Sequence, residues 1–272
     1  MQPLTDLQAS TSHGKRDVFA SVQHGVLVET PYPHLVIEDA LPADLSAVLL
    51  NEMPSIEVFT NGAAAESNKR FYLRSHVVLA DPRVSPAWKA AIEECNACMG
   101  NLLAHVLDRM GDHLLRAFPD FPTRFAPLDK LRAVPRAQKD RKPHEIGFDS
   151  QMVINTPALS GGTSVRGPHL DKPDKLISGL LYLRAPDDDS TGGELQLYAL
   201  RHGGVTFDNR NNTDLENVKL VRSYPYRHNL LILPLGVPNS LHGVSPRSAT
   251  IKPRYHLHLV GETAAPLFAI PH

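Results

Sequence analysis

The fold class this sequence predicts is α+β, mostly β: a jelly-roll barrel, or double-stranded β-helix, buttressed by N-terminal helices. Two observations carry that expectation. After Phe148 the chain becomes a series of short β-rich segments, SQMVINT, KLISGLLYLR, GELQLYAL, VKLVRSY, HNLLILPL and RYHLHLV, separated by Pro, Gly, Asp and Asn. Before it, an apolar stripe at helical spacing runs through Trp88, Ile92, Cys95, Met99, Val106 and Met110. About eight short strands with long and short connections suit two facing sheets with a ligand-holding mouth. No repeat of roughly 20 to 50 residues is visible. The expected organisation is a single domain over 1–272, with a mobile leader at 1–28, a helical buttress at 29–147 and the barrel at 148–262.

The start, MQPLTDLQASTSHGKRD, is polar and lacks the apolar core of a secretory signal. In TPYPHLVIEDALPADLSAVLLNEMP, residues 35–37 read as a strand and 39–42 as a turn. Leu45, Val48, Leu49 and Met53 then recur at helical spacing until Pro54 stops them. NGAAAESNKR is small and polar, a loop, and FYLRSHVVLA returns to strand character. Ser85 as N-cap and Pro86 in the first turn open the longest helix, with breaks expected near Gly100 or Gly111. Cys95 and Cys98 form a lone C-x-x-C inside it. With no second pair and no redox-type βαβ context, they read as ordinary helix cysteines. The segment PTRFAPLDKLRAVPRAQKDRKPHE is basic and Pro-rich, which reads as a solvated surface excursion.

Hydrophobic residues at 42% and charged residues at 21% are ordinary for a folded globular protein. A formal net charge of -1 gives no reason to expect a nucleic-acid partner. No run approaches the roughly 18 apolar residues of a membrane span. Two cysteines make no disulfide framework, so the expected compartment is the reducing cytoplasm.

The chemistry concentrates in Pro168-His169-Leu170-Asp171 and in His242. In an extended strand, side chains two apart share a face, so His169 and Asp171 present an imidazole and a carboxylate together. A later histidine completes the two-histidine, one-carboxylate set expected of non-haem Fe(II) with open positions. His-x-Asp alone is weak in a chain with 14 histidines; its surroundings raise it. In RYHLHLV, Arg254, His256 and His258 share one face while Tyr255, Leu257 and Leu259 share the other. Three inward polar groups make sense only around a wet, functional cavity, which places His258 near the ligands. Gln151 and Asn155 likewise share a face of the preceding strand and are candidate contacts to cosubstrate or substrate. Gly192-Gly193 is a turn signal, because no helix pattern follows it as a phosphate loop requires.

Three stretches, PHLDKPDKLISGLLYLRAPDDDSTGGELQLY, HNLLILPLGVPNSLHGVSPRS and KPRYHLHL, resemble in order and spacing the Fe(II)/2-oxoglutarate-dependent oxygenases of the prolyl 4-hydroxylase-like type. The likeness covers residues 148 to 262, and YPHLVIEDALPADLSAVLL resembles their N-terminal element more loosely. It implies the cupin-like barrel, with His169, Asp171 and His242 as iron ligands and Fe(II), 2-oxoglutarate and O2 as cofactors. By the same resemblance Arg254 pairs with the distal carboxylate of 2-oxoglutarate, with Arg247 as the alternative, and Tyr182 adds a hydrogen bond. A planar guanidinium holds a carboxylate bidentately, which suits that role.

The expected activity is hydroxylation of a C–H bond in a small-molecule, glycan or peptide substrate, with release of succinate and CO2. Asp171 favours this over halogenation, which in related enzymes dispenses with the carboxylate; desaturation and cyclisation use the same triad. Two other readings stay open, a cupin-type metalloenzyme without 2-oxoglutarate and a non-catalytic ligand-binding barrel. The loops at 61–69 and 159–166 are expected to form a lid. Arg166 and Arg247 would then face each other across the opening and favour an anionic substrate.

Overall fold

A computed structural model describes residues 16–272. In chain order its elements are β1 (Val26–Val28), β2 (His34–Ile37), α1 (Ala43–Asn51), α2 (Ile56–Thr60), β3 (Arg70–Leu73), α3 (Ser75–Ala80), α4 (Pro86–Ala97), α5 (Met99–Ala117), α6 (Phe121–Arg124) and β4 (Arg132–Pro135). The second half holds β5 (Glu145–Asn155), β6 (Lys175–Leu183), β7 (Leu195–Leu200), β8 (Val218–Tyr224), β9 (Leu231–Pro234), β10 (His242–Val244) and β11 (Arg254–Glu262).

The result is a mixed α/β architecture built on a large sheet. Eight strands form it, in the order β1-β2-β9-β6-β11-β5-β3, with β4 parallel to β5. A second sheet of three strands runs β10-β7-β8. Isolated bridges join His169 to His242 and to Asn212, so the segment carrying the His-x-Asp lies beside β10.

Two-residue alternation divides the large sheet into a dry face and a wet one. Met152, Ile154, Leu257, Leu259, Leu181 and Leu183 join the main core cluster, together with Trp88, Ile92 and Leu102 of α4 and α5. Trp88 also donates its indole N–H to the Leu49 carbonyl at 3.1 Å, tying α4 to α1. On the opposite face, Gln151, Asn155, Tyr182, Arg254, His256 and His258 come into register across β5, β11 and β6.

Several local expectations change. Residues 1–15 of the expected leader lie outside the described residues, but 16–28 are packed. Val18, Phe19 and Val22 are buried in the main core, and β1 joins the large sheet. SHVVLA, read as strand, is the helix α3. Asp149 on β5 explains the change, accepting from the Ser75 N–H at 3.1 Å and from its hydroxyl at 2.6 Å. A carboxylate at that helix start offsets the β-branched valines. The basic excursion contributes β4 to the large sheet and buries Phe125. The long helix breaks at Cys98, and neither cysteine is bonded to the other. Burial pushes the Cys95 thiol up to about 12, which leaves it unreactive. At the glycine turn, Gly192 has φ +77 and a Cβ there would sit 1.9 Å from the Pro246 carbonyl oxygen, so only glycine fits. Among the described residues no helix is long and apolar enough to cross a membrane.

Asp149→Ala removes three hydrogen bonds to a buried carboxylate, two from Ser75 and one from Gln151. It should cost about 2 kcal/mol of unfolding free energy, read as a shift in urea midpoint with loss of amide protection in residues 75–80.

Candidate functional site

His169 and His242 exchange backbone hydrogen bonds, N–H to carbonyl, at 2.9 and 3.0 Å. That antiparallel pairing sets their ring centroids 4.2 Å apart. Each ring is then oriented by a backbone carbonyl: Nδ1 of His169 donates to Gly167 at 2.9 Å and Nδ1 of His242 to Ser240 at 3.1 Å. A carbonyl only accepts, so Nδ1 carries the proton and Nε2 keeps its lone pair for a metal. Asp171 is held by the Ser178 hydroxyl at 2.6 Å and the Lys175 ammonium at 3.0 Å. One ligand atom from each of His169, Asp171 and His242 falls within 4.8 Å of the others.

Electrostatics put these groups in their ligating forms. Burial pushes both histidines below their ordinary value, and for His169 the neighbouring His242 and Arg166 add to it. Burial alone would raise Asp171, but Lys175, followed by the imidazoles around it, holds the carboxyl well below its usual range. Two neutral imidazoles and one carboxylate therefore face a common point.

Beside the triad lies a second group of donors. Arg254, 1% exposed, donates from Nη1 to Asn155 Oδ1 at 3.1 Å, while its Nε and Nη2 are buried without a partner. Asn155 Nδ2, the Tyr182 hydroxyl and His256 Nδ1 are also buried and unpartnered. Burial raises the Tyr182 hydroxyl above its ordinary value, so it stays a donor. Buried polar atoms rarely go unpaired, and a cluster dominated by N–H and O–H groups around a guanidinium fits a carboxylate. The group also fits 2-oxoglutarate, whose distal carboxylate these donors would satisfy.

No family model and no curated sequence matches the chain. Among solved structures it is similar to a prolyl 4-hydroxylase of Phytophthora capsici, at 16% identity and TM-score 0.45, over 85% of this chain and 59% of that one. The match thus spans less than two thirds of that protein's length. It is also similar to a Trichoplax adhaerens prolyl hydroxylase solved with a hypoxia inducible factor peptide fragment (14% identity, TM-score 0.47, 85% of this chain and 83% of that one). A 2OG-Fe(II) oxygenase family protein of Caulobacter crescentus is similar at 13% identity and TM-score 0.47, over 91% of this chain and 81% of that one.

The triad opens on a cavity of about 410 Å³. Gln151 and His258 line it, and His258 Nε2 lies 2.8 Å from the Ser178 hydroxyl that holds Asp171. Since Ser178 donates to the carboxylate, His258 donates to Ser178, in a relay ending on the metal ligand. Arg166 lines the cavity too, braced by Asn212 Oδ1 at 3.3 Å and the Arg210 carbonyl at 2.8 Å.

Arg247 does not line the cavity and does not face Arg166 across it. It is 3% exposed, with Nη2 on Asp188 at 2.7 Å, Nε on Ser190 at 2.9 Å and Nη1 on the Lys252 carbonyl at 2.8 Å. With all three nitrogens engaged, it is a structural buried ion pair. It is neither a substrate contact nor the alternative to Arg254. The loops at 61–69 and 159–166 bond to each other, with Asn68 Nδ2 on the Thr163 carbonyl at 2.9 Å, and only Arg166 of the two loops lines the cavity. The wall at that point comes instead from residues 209–211.

Sequence reasoning missed Arg70. It lines the cavity from β3, in register with Asn155 and, beyond it, Arg254. Burial first, then the charges of Arg254 and Arg166, bring its guanidinium down to about 10. The signal was present: Arg70, Tyr72 and Arg74 alternate with Phe71 and Leu73, the same pattern that singled out Arg254.

Because both histidines have their pKa lowered by burial and stay neutral further into acid, Co(II) affinity should fall less between roughly pH 7.5 and 6 than that of an ordinary histidine pair. An unperturbed histidine pair would lose roughly tenfold. Equilibrium dialysis across that range separates the two. Arg247→Ala strands Asp188 and should cost about 3–5 kcal/mol of stability, measured by chemical denaturation, without weakening Co(II) binding.

Proposed function

We propose that the chain is an Fe(II)- and 2-oxoglutarate-dependent dioxygenase that hydroxylates a C–H bond of a small-molecule, glycan or peptide substrate. The observation that carries this reading is a two-histidine, one-carboxylate set beside a buried cluster of unpartnered donors. The two sheets are read as faces of a jelly roll, with β5, β11, β6 and β9 opposite residues 168–171, β10, β7 and β8, in one domain. Two free buried cysteines suit the cytoplasm, where we place the protein.

When bound, Fe(II), O2 and 2-oxoglutarate supply the oxidation, with 2-oxoglutarate converted to succinate and CO2. His169 and His242 would hold the metal through Nε2, and Asp171 through its carboxylate. Ser178 and Lys175 keep that carboxylate ionised and fixed in direction, and His258 orients Ser178. Arg254, Tyr182 and Asn155 would receive the distal carboxylate of the cosubstrate. Two further wall residues, Leu180 and Val153, give the cavity apolar surface that limits water near the reacting carbon. A metalloenzyme that did not use 2-oxoglutarate would leave the Arg254 donors without purpose, which is why that alternative is disfavoured.

Arg254→Met should raise the 2-oxoglutarate requirement by the equivalent of about 2–5 kcal/mol while metal binding is retained. Succinate release against 2-oxoglutarate concentration reads the first, and Co(II) dialysis the second. An unchanged requirement removes the clamp from Arg254.

A further inference from the structure

The cavity wall is far more cationic than the net charge of -1 foreshadows. Seven Lys or Arg side chains line it and only one carboxylate, Asp171. Lys175 is paired with Asp171, and Arg136 with Glu262 at 2.6 Å. Arg70, Arg74, Lys172, Arg166 and Arg210 remain, and none makes an ion pair among the described residues. A divalent metal adds to this excess, and the two charges of 2-oxoglutarate are matched by the metal and Arg254. Cations gathered around one cavity repel each other: burial first, then the charges of Arg254 and Arg166, lowers Arg70, while Arg74, Lys172 and Arg210 are exposed to solvent. Such an arrangement persists where a bound anion offsets it.

The arginines sit on two separate pieces of backbone lining one cavity. Arg70 and Arg74 lie on one side of the β3 segment, with Tyr72, 59% exposed, between them. Arg166 and Arg210 belong to a unit built onto the metal-binding segment. The Asp208 carboxylate accepts from the backbone N–H of Arg210 and of Asn212, both at 2.8 Å, and from Asn212 Nδ2 at 2.9 Å. Asn212 in turn braces Arg166. The loop is fastened to the His-x-Asp segment by Leu170 N–H to the Asn211 carbonyl at 2.9 Å and Thr213 N–H to the Pro168 carbonyl at 3.0 Å. Asp208 is thus spent on holding the loop; Arg166, engaged through Nε and Nη2, keeps Nη1 for a ligand, and the Arg210 guanidinium has no partner among the described residues.

We propose that the substrate carries a phosphate-type dianion, received between Arg70 and Arg74 on one wall and Arg166 and Arg210 on the other. This rests on the oxygenase reading only for calling the ligand a substrate; the anion site itself stands on the wall. A tetrahedral oxyanion offers several oxygens in different directions, so it can take forks from both walls at once, whereas one carboxylate occupies a single fork. Tyr72 then offers a ring face to the body that bears the anion.

The test is calorimetric titration of the full chain with inorganic phosphate, with and without saturating 2-oxoglutarate, against sulfate, malonate and chloride. Saturable phosphate binding is expected, unaffected by 2-oxoglutarate, weakened several-fold by Arg166→Gln or Arg210→Gln and by roughly tenfold or more in the double variant. Arg210 is exposed and unpaired, so its variant keeps the test open if Arg166→Gln disturbs the loop. Absence of saturable binding, equal affinity in the double variant, preference for malonate, or mutual exclusion with 2-oxoglutarate each overturns the proposal. Binding is read without turnover, so these outcomes leave succinate release untouched. Loss of succinate release with phosphate binding intact overturns the oxygenase reading alone.

Discussion

β11 is paired along its length with β5 on one side and β6 on the other, so its two-residue period is imposed on three adjacent strands at once. Leu257 and Leu259 go to the helices; Arg254, His256 and His258 go to the other face, where the two histidines line the cavity. A one-residue slip would exchange the two faces, burying three polar groups in the core and exposing its leucines. The dry face therefore fixes the register, and the register fixes the site. The helices matter to the chemistry for this reason, although none of them supplies a metal ligand.

The two buried arginines of the second half differ in what their nitrogens meet. Arg247 has Asp188 against it, and every nitrogen has an acceptor within the protein. Arg254 has one acceptor, a neutral amide, and stacks on Tyr182 and Tyr226 with its guanidinium carbon 4.7 and 5.0 Å from the ring centroids. Stacking orients the fork without using its N–H groups. Leaving such donors unsatisfied costs stability in the free protein, a cost that a bound carboxylate would offset. The same logic extends outward to Arg70 and Arg166, where cations accumulate around a single carboxylate.

The N-terminal part also reaches the metal centre. Tyr32 donates its hydroxyl to the Leu241 carbonyl at 3.0 Å, one residue before His242. His34 is held between the Tyr32 carbonyl and the Tyr224 hydroxyl, both at 2.7 Å. The distal histidine is thus braced by its own turn through Ser240 and, through its neighbour, by a buried tyrosine from the start of the chain. β3, also from this half, brings Arg70 into the cavity.

Local pattern was enough to place six of the seven strands from β5 to β11, all but the short β10, and to put His169 beside Asp171, because the alternation of a strand is written residue by residue. It was enough as well for Arg254 with His256 and His258, and would have been for Arg70. Only the tertiary structure decided the rest. Nothing near Ser75 announces that Asp149, 74 positions away, turns SHVVLA into a helix. Nothing near Arg247 announces that Asp188, 59 positions back, engages it and takes it out of the mouth. The sequence could not show that the stretch after Arg16 packs into the core, or that residues 209–211 wall the cavity. A periodicity determines which way a side chain points from its own backbone; what stands opposite it depends on chain crossings far apart in sequence, and the roles of buried charges are set by that partner.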